Sequence, residues 1–423
     1  MIETSILDQD AFDNSPYVFL KPACDLSEEI NTKTDTPRYL VTMYKGIGDA
    51  VMAGLSAVDQ LVRHDPQAYG AIDVLCTSIQ AEIFEHDPRI NRIILADKSL
   101  FSSPEVTMWL KGINLDSKTA ELVRLLRKRG YAAVFPGMFT PGLYFRLHTP
   151  VMNPNVFKLV KDLLALRNQE DRPLSSLARG MVDRHFRKIR KNPGNSLRPE
   201  SYESIPLYIS SEEVRNAIAV VRNMKESSGI SPESARLLVV ASDTASIVTR
   251  PPLALLDTAL AAALRRYPEL IVCILQGHTD ARGGENLLQA LRGEFDGRVY
   301  MLPVEPRARL LDVTALIDQA DIFVTGDTGL MHLAATEKRL PQDHPAQSHP
   351  RNSSNIIALF GGTNPHAYGY SKQTTILGKG RKEQLAFVPG IFKESYDPKG
   401  RDLFDHIHPE QLTEAIINSH LVF

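Results

Sequence analysis

The sequence predicts an α/β protein with two domains, each a parallel β-sheet covered by helices. Strand-like apolar runs alternate with amphipathic helices over residues 38–135, and the alternation returns over residues 237–360. A chain of 423 residues is also longer than most single domains. Between the two alternations, Arg187–Arg198 is basic and contains Asn-Pro-Gly-Asn-Ser, which is typical of an interdomain linker.

Residues 1–37 show no sustained periodicity and are predicted to be a tail or arm. Four strands are predicted after it, at Arg38–Met43, Ile72–Cys76, Arg92–Leu95 and Tyr131–Phe135. Two helices are predicted among them, at Ala50–Arg63, with Val51, Leu55, Val58 and Val62 on one face, and at Lys118–Arg129. We therefore expect a Rossmann-like domain over residues 38–190 and a linker over residues 191–210.

The second alternation predicts strands at Leu237–Ala241, Leu270–Leu275, Val299–Leu302, Asp321–Val324 and Ile356–Phe360. Helices are predicted at Pro252–Arg266, with Leu253, Leu256, Leu260 and Leu264 facing the core, at Arg309–Gln319 and at Pro409–Ser419. We expect a second Rossmann-like domain over residues 211–405 and a closing helix within 406–423. Two such domains predict a ligand cleft between them, at the carboxyl ends of the strands.

The composition excludes several classes of protein. A formal net charge of −2 shows no excess of positive charge of the kind that favours binding to nucleic acid. The acidic and polar residues 1–15 do not resemble a signal peptide, and no apolar run approaches the roughly 20 residues that span a bilayer. We expect a soluble, cytoplasmic protein for which peripheral membrane contact remains open. The composition does not predict an oligomeric state.

The three cysteines are far apart, and none has the spacing of a metal ligand. Cys76 and Cys273 lie in strand-like runs and are predicted to be buried thiols. The insertion around His344 and His349 is rich in Pro, Gln, Ser and Asn, which favours a solvated loop over a metal site. We therefore predict neither a metal nor a cofactor.

The most informative segment follows the apolar run Ile322–Val324, where Gly326-Asp327-Thr328-Gly329 leads into a helix-forming stretch. The first amides of a helix lack internal partners and lie in positive potential, so they suit a phosphate or diphosphate. Asp327, Thr328 and Gly329 are the candidate ligand-binding residues. The alternative is that Asp327 merely caps the helix. His332, inside that helix, is predicted to be packed or capping rather than catalytic.

Two other loops of the second domain are candidates for the same ligand. Ser242 to Arg250 supplies hydroxyls, including Ser242 and Thr244, and one guanidinium, which together suit a diphosphate. Gly361 and Gly362 would allow the backbone to approach a ligand closely, although a plain turn is the simpler interpretation.

A weaker candidate for binding ribose hydroxyls lies beyond the strand that ends at Leu275. Asp280 and Glu285 both follow this strand closely enough to be candidates, and the sequence does not decide between them. A solvated loop carboxylate is the plainer interpretation of either residue.

The first strand-to-helix turn, Lys45-Gly46-Ile47-Gly48-Asp49-Ala50-Val51, fails as a dinucleotide fingerprint. Val51 occupies the third glycine position, and the charge of Asp49 would repel a pyrophosphate. A carboxylate at this point is better suited to accept a proton, so Asp49 is a candidate general base. The alternative is that Asp49 simply starts the helix. Lys45 and Gly48 are weaker candidates for contact with an acceptor.

Taken in order, four of these segments resemble glycosyltransferase family 9, the bacterial heptosyltransferases. They are Gly46–Asp49, Ser242–Arg250, Asp327–Gly329 with the following His332–Ala335, and Ala358–Gly361 with Thr363–Pro365. The third is the most specific. The order and architecture cover roughly residues 38–420. The chain departs from the family pattern at Leu55 and Tyr370, where prolines are usual, in its longer segment between Ala335 and Ile356, and in its leading 37 residues.

The resemblance implies a GT-B fold, with two Rossmann-like domains whose parallel sheets face each other across a cleft. It also implies an inverting, metal-independent transfer of a sugar, with a heptose from ADP-heptose as the usual donor. Asp49 would be the general base, Arg250 would contact the diphosphate, and Asp327, Thr328 and Gly329 would hold the phosphate and sugar end. The acceptor would be a hydroxyl of a glycan or lipopolysaccharide-type core, on a glycan, lipid-linked or protein partner.

Two other functions remain open from the sequence. A GT-B nucleotide-sugar epimerase would consume its donor without an acceptor. A non-catalytic sugar-nucleotide-binding protein would bind the donor and turn nothing over, although the presence of both Asp49 and Arg250 argues against it.

Overall fold

A computed structural model describes much of the chain and shows two α/β units. The described residues are 17–19, 37–43, 46–96, 126, 129–136, 174–190, 205–242, 249–276, 281–302, 309–341, 355–361, 363, 365, 369–370, 374–378 and 403–420. Those up to Glu200 form the first unit, and those from Ser201 onward form the second. No helix in this part of the chain is both long and apolar enough to cross a membrane.

The first unit contains a five-stranded sheet in the order β1-β4-β3-β2-β5. Its strands are β1 (Tyr17–Phe19), β2 (Tyr39–Thr42), β3 (Ile72–Cys76), β4 (Ile90–Ala96) and β5 (Ala133–Pro136). Neighbours among β2 to β5 are parallel, whereas β1 pairs antiparallel with the edge of β4. All residues of β2 and β3 are buried, as expected for parallel strands covered on both faces.

The helices of the first unit begin directly after β2. Residues 47–64 are helical throughout, as α1 (Ile47–Asp49), a π-helical turn (Ala50–Leu55) and α2 (Ser56–His64). After β3 comes the short α3 (Ser78–Ala81), and α4 (Leu174–Arg190) packs against α2. The rings of His64 and Phe186 stack at 4.9 Å in that contact, and Nε2 of His64 lies 2.6 Å from Oδ1 of Asp183.

The second unit contains a six-stranded, fully parallel sheet in the order β13-β12-β10-β7-β8-β9. Its strands are β7 (Arg236–Ala241), β8 (Leu270–Leu275), β9 (Val299–Leu302), β10 (Ile322–Gly326), β12 (Asn355–Leu359) and β13 (Thr374–Leu377). A separate parallel pair joins β6 (Pro206–Tyr208) to β11 (Glu337–Arg339).

The helices of the second unit are α5 (Ser211–Ser227), α6 (Leu253–Arg266), α7 (Ala281–Phe295), α8 (Leu310–Asp318), α9 (Gly329–Ala334) and α10 (Pro409–His420). Leu256, Leu260 and Leu264 of α6 are fully buried in the core, and Leu253 packs against it, as their spacing predicts. In a parallel sheet of this kind the carboxyl ends of all strands lie at one edge, which is where ligands bind.

The α/β class with parallel sheets is confirmed, and β3, β8 and β9 have the predicted bounds. The structure differs locally from the predicted boundaries at three places. Residues 17–19 of the predicted tail form β1, because β4 offers them an open edge. Residues 187–190 of the proposed linker belong to α4, and residues 206–208 pair with β11. Of the predicted helix Lys118–Arg129, only Leu126 and Arg129 lie within the described residues.

Candidate functional site

The order of strands in the second unit defines a switch point between β7 and β10. From β7 the chain proceeds to β8 and β9 on one side, and then returns to β10, β12 and β13 on the other. Ala241 of β7 is paired with Thr325 of β10, so the loops that follow these two strands leave the sheet side by side. Ligands of open α/β sheets bind at such a point, because the diverging loops leave a crevice there.

The loops after β7 and β10 are in direct contact at this switch point. A Cβ atom on Gly326 would lie 2.0 Å from the carbonyl oxygen of Thr249 and 3.1 Å from Cδ of Pro251. Gly326 therefore has no room for a side chain, and its backbone supports the segment that carries Arg250. Arg250 is half-buried. The hydroxyl of Ser242 is buried and, within the described part of the chain, has no hydrogen-bond partner.

Thr328, not Asp327, caps the short helix α9. Its side chain accepts a hydrogen bond from the amide of Met331 at 3.3 Å, and its hydroxyl lies 3.2 Å from that of Thr325. The interpretation of Asp327 as the cap is therefore wrong, since its carboxylate turns to His332 instead. One of the amides that a bound phosphate would have used is also occupied by Thr328.

Asp327, His332 and Tyr370 form a chain of side-chain contacts beside the switch point. Nε2 of His332 lies 3.2 Å from Oδ1 of Asp327, and Nδ1 lies 3.0 Å from the hydroxyl of Tyr370. The side chains of His332 and Asp327 are 4% and 7% exposed. Burial, followed by the charge of Asp327, raises the pKa of Tyr370 above its usual range, so the phenol keeps its proton.

These contacts define the direction of the hydrogen bonds. An ionised Asp327 can only accept, so Nε2 of His332 donates to it. In a neutral imidazole, Nδ1 then accepts from the Tyr370 hydroxyl. His332 is therefore a packed, hydrogen-bonded histidine, as the sequence predicts, and its two ring nitrogens connect Tyr370 to Asp327.

Gly361 lies at the end of β12, where a Cβ atom would be 2.5 Å from Cε2 of Phe404. Its missing side chain therefore has a packing reason, which favours the simpler interpretation of this turn. The hydroxyl of Thr363 nearby is buried and lacks a hydrogen-bond partner among the described residues. Glu285 is exposed on the first turns of α7.

Asp49 follows β2 at the equivalent switch point of the first unit, between β2 and β5. It is half-buried, and its Oδ2 accepts a hydrogen bond from the amide of Gly46 at 3.1 Å. This contact is the one expected of a carboxylate that starts a helix, and the position also suits a proton acceptor. The role of Asp49 as a base stays a prediction.

Gly54 lies close to the end of the preceding strand, at a position that the dinucleotide fingerprint does not include. A Cβ atom on Gly54 would lie 2.3 Å from Sδ of Met43, immediately after β2. Gly54 lies in the π-helical turn Ala50–Leu55, three positions after the fingerprint's third glycine. The π-helical turn shifts the helical register, and π-helical turns often occur near functional sites.

Several predicted residues lie outside the described part of the chain. They are Lys45, Thr244, Asp280 and Gly362, together with Cys24, His344 and His349. Cys76 and Cys273 are buried, and burial raises the pKa of each thiol, that of Cys273 to about 12. No group of three or more His, Cys, Asp or Glu residues could hold a metal ion in the regions that the structure describes.

Comparison with known proteins agrees with this architecture. Residues 259–390 match the family model of glycosyltransferase family 9 (heptosyltransferase). This range includes Asp327–Gly329 and Gly361, whereas Asp49 and Arg250 lie outside it. No curated protein matches the sequence.

Two solved structures share the fold at low sequence identity. ADP-heptose LPS heptosyltransferase II of E. coli is 19% identical, with a TM-score of 0.53, over 91% of this chain and 98% of that one. The glycosyl transferase family 9 protein of Veillonella parvula is 15% identical, with a TM-score of 0.55, over 92% of this chain and 99% of that one. The resemblance is confirmed: the chain has a GT-B fold like theirs, and its residues 259–390 match glycosyltransferase family 9, the heptosyltransferases.

Proposed function

We propose that this protein is an inverting glycosyltransferase that moves a sugar from a nucleoside diphosphate to an acceptor hydroxyl. The observation that carries the proposal is the contact between Gly326 and Thr249 at the switch point of the second unit. It brings the guanidinium-bearing segment and the Asp327–Gly329 segment to one edge of the sheet. The family match over residues 259–390 supports glycosyl transfer as the reaction.

The donor in this proposal is bound by the second unit. Arg250 supplies positive charge for the diphosphate, because a guanidinium can donate two parallel hydrogen bonds to phosphate oxygens. Ser242 and Thr244 supply hydroxyl groups for the diphosphate. Thr328 and Gly329 supply backbone amides to the phosphate and sugar end of the donor. Heptose carried by ADP is the proposed donor, since the E. coli protein of similar fold is named for ADP-heptose.

Asp49 of the first unit acts as the general base. It takes the proton of the acceptor hydroxyl while the acceptor oxygen forms a bond to the anomeric carbon. The bond from that carbon to the diphosphate oxygen breaks, and the diphosphate leaves with the electron pair. Attack from the face opposite the leaving group inverts the configuration. Arg250 stabilises the charge that develops on the diphosphate, without an essential metal ion.

The acceptor in this proposal is a glycan or lipopolysaccharide-type core. The alternatives are a nucleotide-sugar epimerase and a binding protein without turnover. They differ in a simple assay, because an epimerase consumes its donor when no acceptor is present and a binding protein never consumes it.

A thermal-shift panel tests donor binding first. ADP and ADP-heptose should raise the melting temperature, with a stabilisation of about 2.7 kcal/mol at a hundredfold excess over the dissociation constant. UDP and GDP serve as matched controls that test whether the site prefers the adenine nucleobase. If no nucleoside diphosphate shifts the melting temperature, the proposed donor site is wrong.

The variant Asp49→Asn tests the base. Asn can still accept the hydrogen bond from the Gly46 amide, so stability should hardly change. Donor affinity measured by calorimetry should stay near wild type, whereas sugar transfer should fall about 10²–10⁴-fold. Activity within a few-fold of wild type would leave Asp49 with a purely structural role.

A further inference from the structure

The short helix α3, which follows β3, contacts the turn after β2 through one buried side chain. Gln80 is fully buried, and its Nε2 donates a hydrogen bond of 3.1 Å to the carbonyl oxygen of Gly46. Its Oε1 accepts both the amide and the hydroxyl hydrogen of Thr77, each at 3.1 Å. Two donors at Oε1 define the orientation of the side-chain amide, so that the nitrogen faces Gly46.

Gly46 depends on these hydrogen bonds for its position. It is exposed, and an added Cβ atom would have no neighbour within 4 Å, so side-chain packing does not hold it. Its carbonyl accepts from Gln80 and also from the amide of Ala50 at 3.2 Å. Its own amide donates to Oδ2 of Asp49 at 3.1 Å. Gly46 therefore connects the buried Gln80 to the carboxylate of Asp49.

We propose that Gln80 is a positioning residue that directs the Asp49 carboxylate by holding Gly46. The proposal rests on the proposed function of Asp49 as the base. Gln80 touches no reacting atom in this scheme. It fixes the turn from which the Asp49 carboxylate takes its hydrogen bond, and a small displacement of a reacting group lowers the rate of transfer strongly.

A simpler role for Gln80 is to complete the capping box of α3, in which Thr77 is the N-cap residue and Gln80 the third helical residue. Glu serves a capping box as well as Gln does. An ionised Glu cannot donate to the Gly46 carbonyl, however, and its charge would repel that oxygen. The variants Gln80→Glu and Gln80→Met therefore separate the two roles.

The kinetic test compares both variants with wild type and with Gln289→Met, a matched control at an exposed site on α7. For Gln80→Met we expect kcat for sugar transfer to fall about 10- to 100-fold, while the Kd for the donor changes less than about twofold. For Gln80→Glu, activity relative to wild type should recover as the pH falls from 8 to 5, because a protonated carboxyl can donate to Gly46 again. A Gln80→Glu variant that matches wild type at every pH would overturn the proposal.

Hydrogen exchange tests the geometry without any turnover. Amides of Gly46 to Val51 should exchange faster in Gln80→Met than in wild type, whereas the core strands β2 and β3 keep their protection. Unchanged exchange would show that Gln80 does not hold the turn and would overturn the inference. If wild type transferred no sugar while exchange still responded to Gln80→Met, the proposed function would fail, and the contact between Gln80 and Gly46 would stand.

Discussion

The hydroxyl of Tyr370 lies 3.0 Å from Nδ1 of His332, and the opposite ring nitrogen of this histidine lies 3.2 Å from the carboxylate of Asp327. Tyr370 stands where the family resemblance leads us to expect a proline. Proline has no hydroxyl, so it could not supply this hydrogen bond. Here Asp327, which can only accept, places the proton of a neutral His332 on Nε2, and the Tyr370 hydroxyl donates to the remaining acceptor, Nδ1.

Removing the hydroxyl tests this arrangement. Tyr370→Phe leaves Nδ1 of His332 buried without its donor, so the free energy of unfolding should fall by about 1–3 kcal/mol. Urea denaturation measures the loss, and the nitrogen chemical shifts of His332 report whether Nδ1 has lost its hydrogen bond. Tyr69→Phe, at a tyrosine that is 42% exposed, is the control and should change stability little. Unaltered shifts for His332 in Tyr370→Phe would contradict the assignment.

Gly326→Ala should disrupt the contact between the loops after β7 and β10. The new Cβ atom would lie 2.0 Å from the carbonyl oxygen of Thr249, so the backbone must move. We expect a loss of stability of about 1–3 kcal/mol and weaker binding of ADP, because Arg250 is adjacent to Thr249. Calorimetry and urea denaturation measure the two effects.

The matched control is Gly293→Ala, at an exposed position of α7 where an added Cβ atom meets nothing within 4 Å. That change should stabilise the protein by up to about 1 kcal/mol, because alanine favours a helix more than glycine does. Normal ADP affinity in Gly326→Ala would mean that the contact does not shape the donor site.

Arg250→Ala should weaken diphosphate binding and slow transfer. Loss of a charge-assisted contact to a leaving group should cost about 2–4 kcal/mol in the transition state, by analogy with one oxyanion donor. Arg250→Lys should recover only part of the loss, because an ammonium lacks the planar fork of a guanidinium. The measurement is kcat/KM with ADP-heptose, and Arg222→Ala, at an arginine whose side chain is 65% exposed, is the control. Wild-type kcat/KM in Arg250→Ala would show that Arg250 is a solvated loop residue.

Lys338 gives the protein a specific dependence of stability on pH. Its ammonium group is buried beside Asp318 and donates to the carbonyl oxygens of Ala334 and Thr336 near the end of α9. Burial lowers the pKa of Lys338 to about 8, although the charge of Asp318 opposes this shift. Below pH 8 both the folded and unfolded states carry the proton. As the pH rises from about 8 to 10, only the folded state releases it, so the contribution of Lys338 to stability increases.

Lys338→Met removes this titrating group and should destabilise the protein at pH 7, because two buried carbonyl oxygens lose a donor. The difference in unfolding free energy between wild type and variant should grow between pH 8 and 10. Urea denaturation at several pH values measures it. A difference that stays constant over this range would refute the lowered pKa.

The sequence predicts most of the sheets because buried parallel strands are continuous apolar runs. The strand Leu270–Leu275 was predicted with its observed bounds from its apolar run alone, and the core face of α6 was predicted from leucines at helical spacing. By contrast, α5 was not predicted although Ser210 and Glu213 form a capping box at its start. The strand Tyr17–Phe19 has only three residues, so periodicity cannot identify it, and its pairing depends on β4.

The candidate site was predictable as a set of loops but not as a set of contacts. Asp327, Thr328 and Arg250 were recognised from their types and order. Sequence could not show that Thr328 rather than Asp327 caps α9, because Asp and Thr are both good N-cap residues. Nor could it find the link from His332 to Tyr370, which are 38 positions apart and meet only through the packing of the second unit.

The short strand β1 has a practical consequence for anyone who shortens this protein. Tyr17–Phe19 covers the outer backbone of β4, with Tyr17 opposite Ala96 and Phe19 opposite Ile94. A chain that began at residue 37 would leave those N–H and C=O groups unpaired, and an open edge strand readily recruits another chain. Removal of the leading residues, for example to aid crystallisation, would therefore favour aggregation. Light scattering would detect the aggregates as particles larger than those of the full chain.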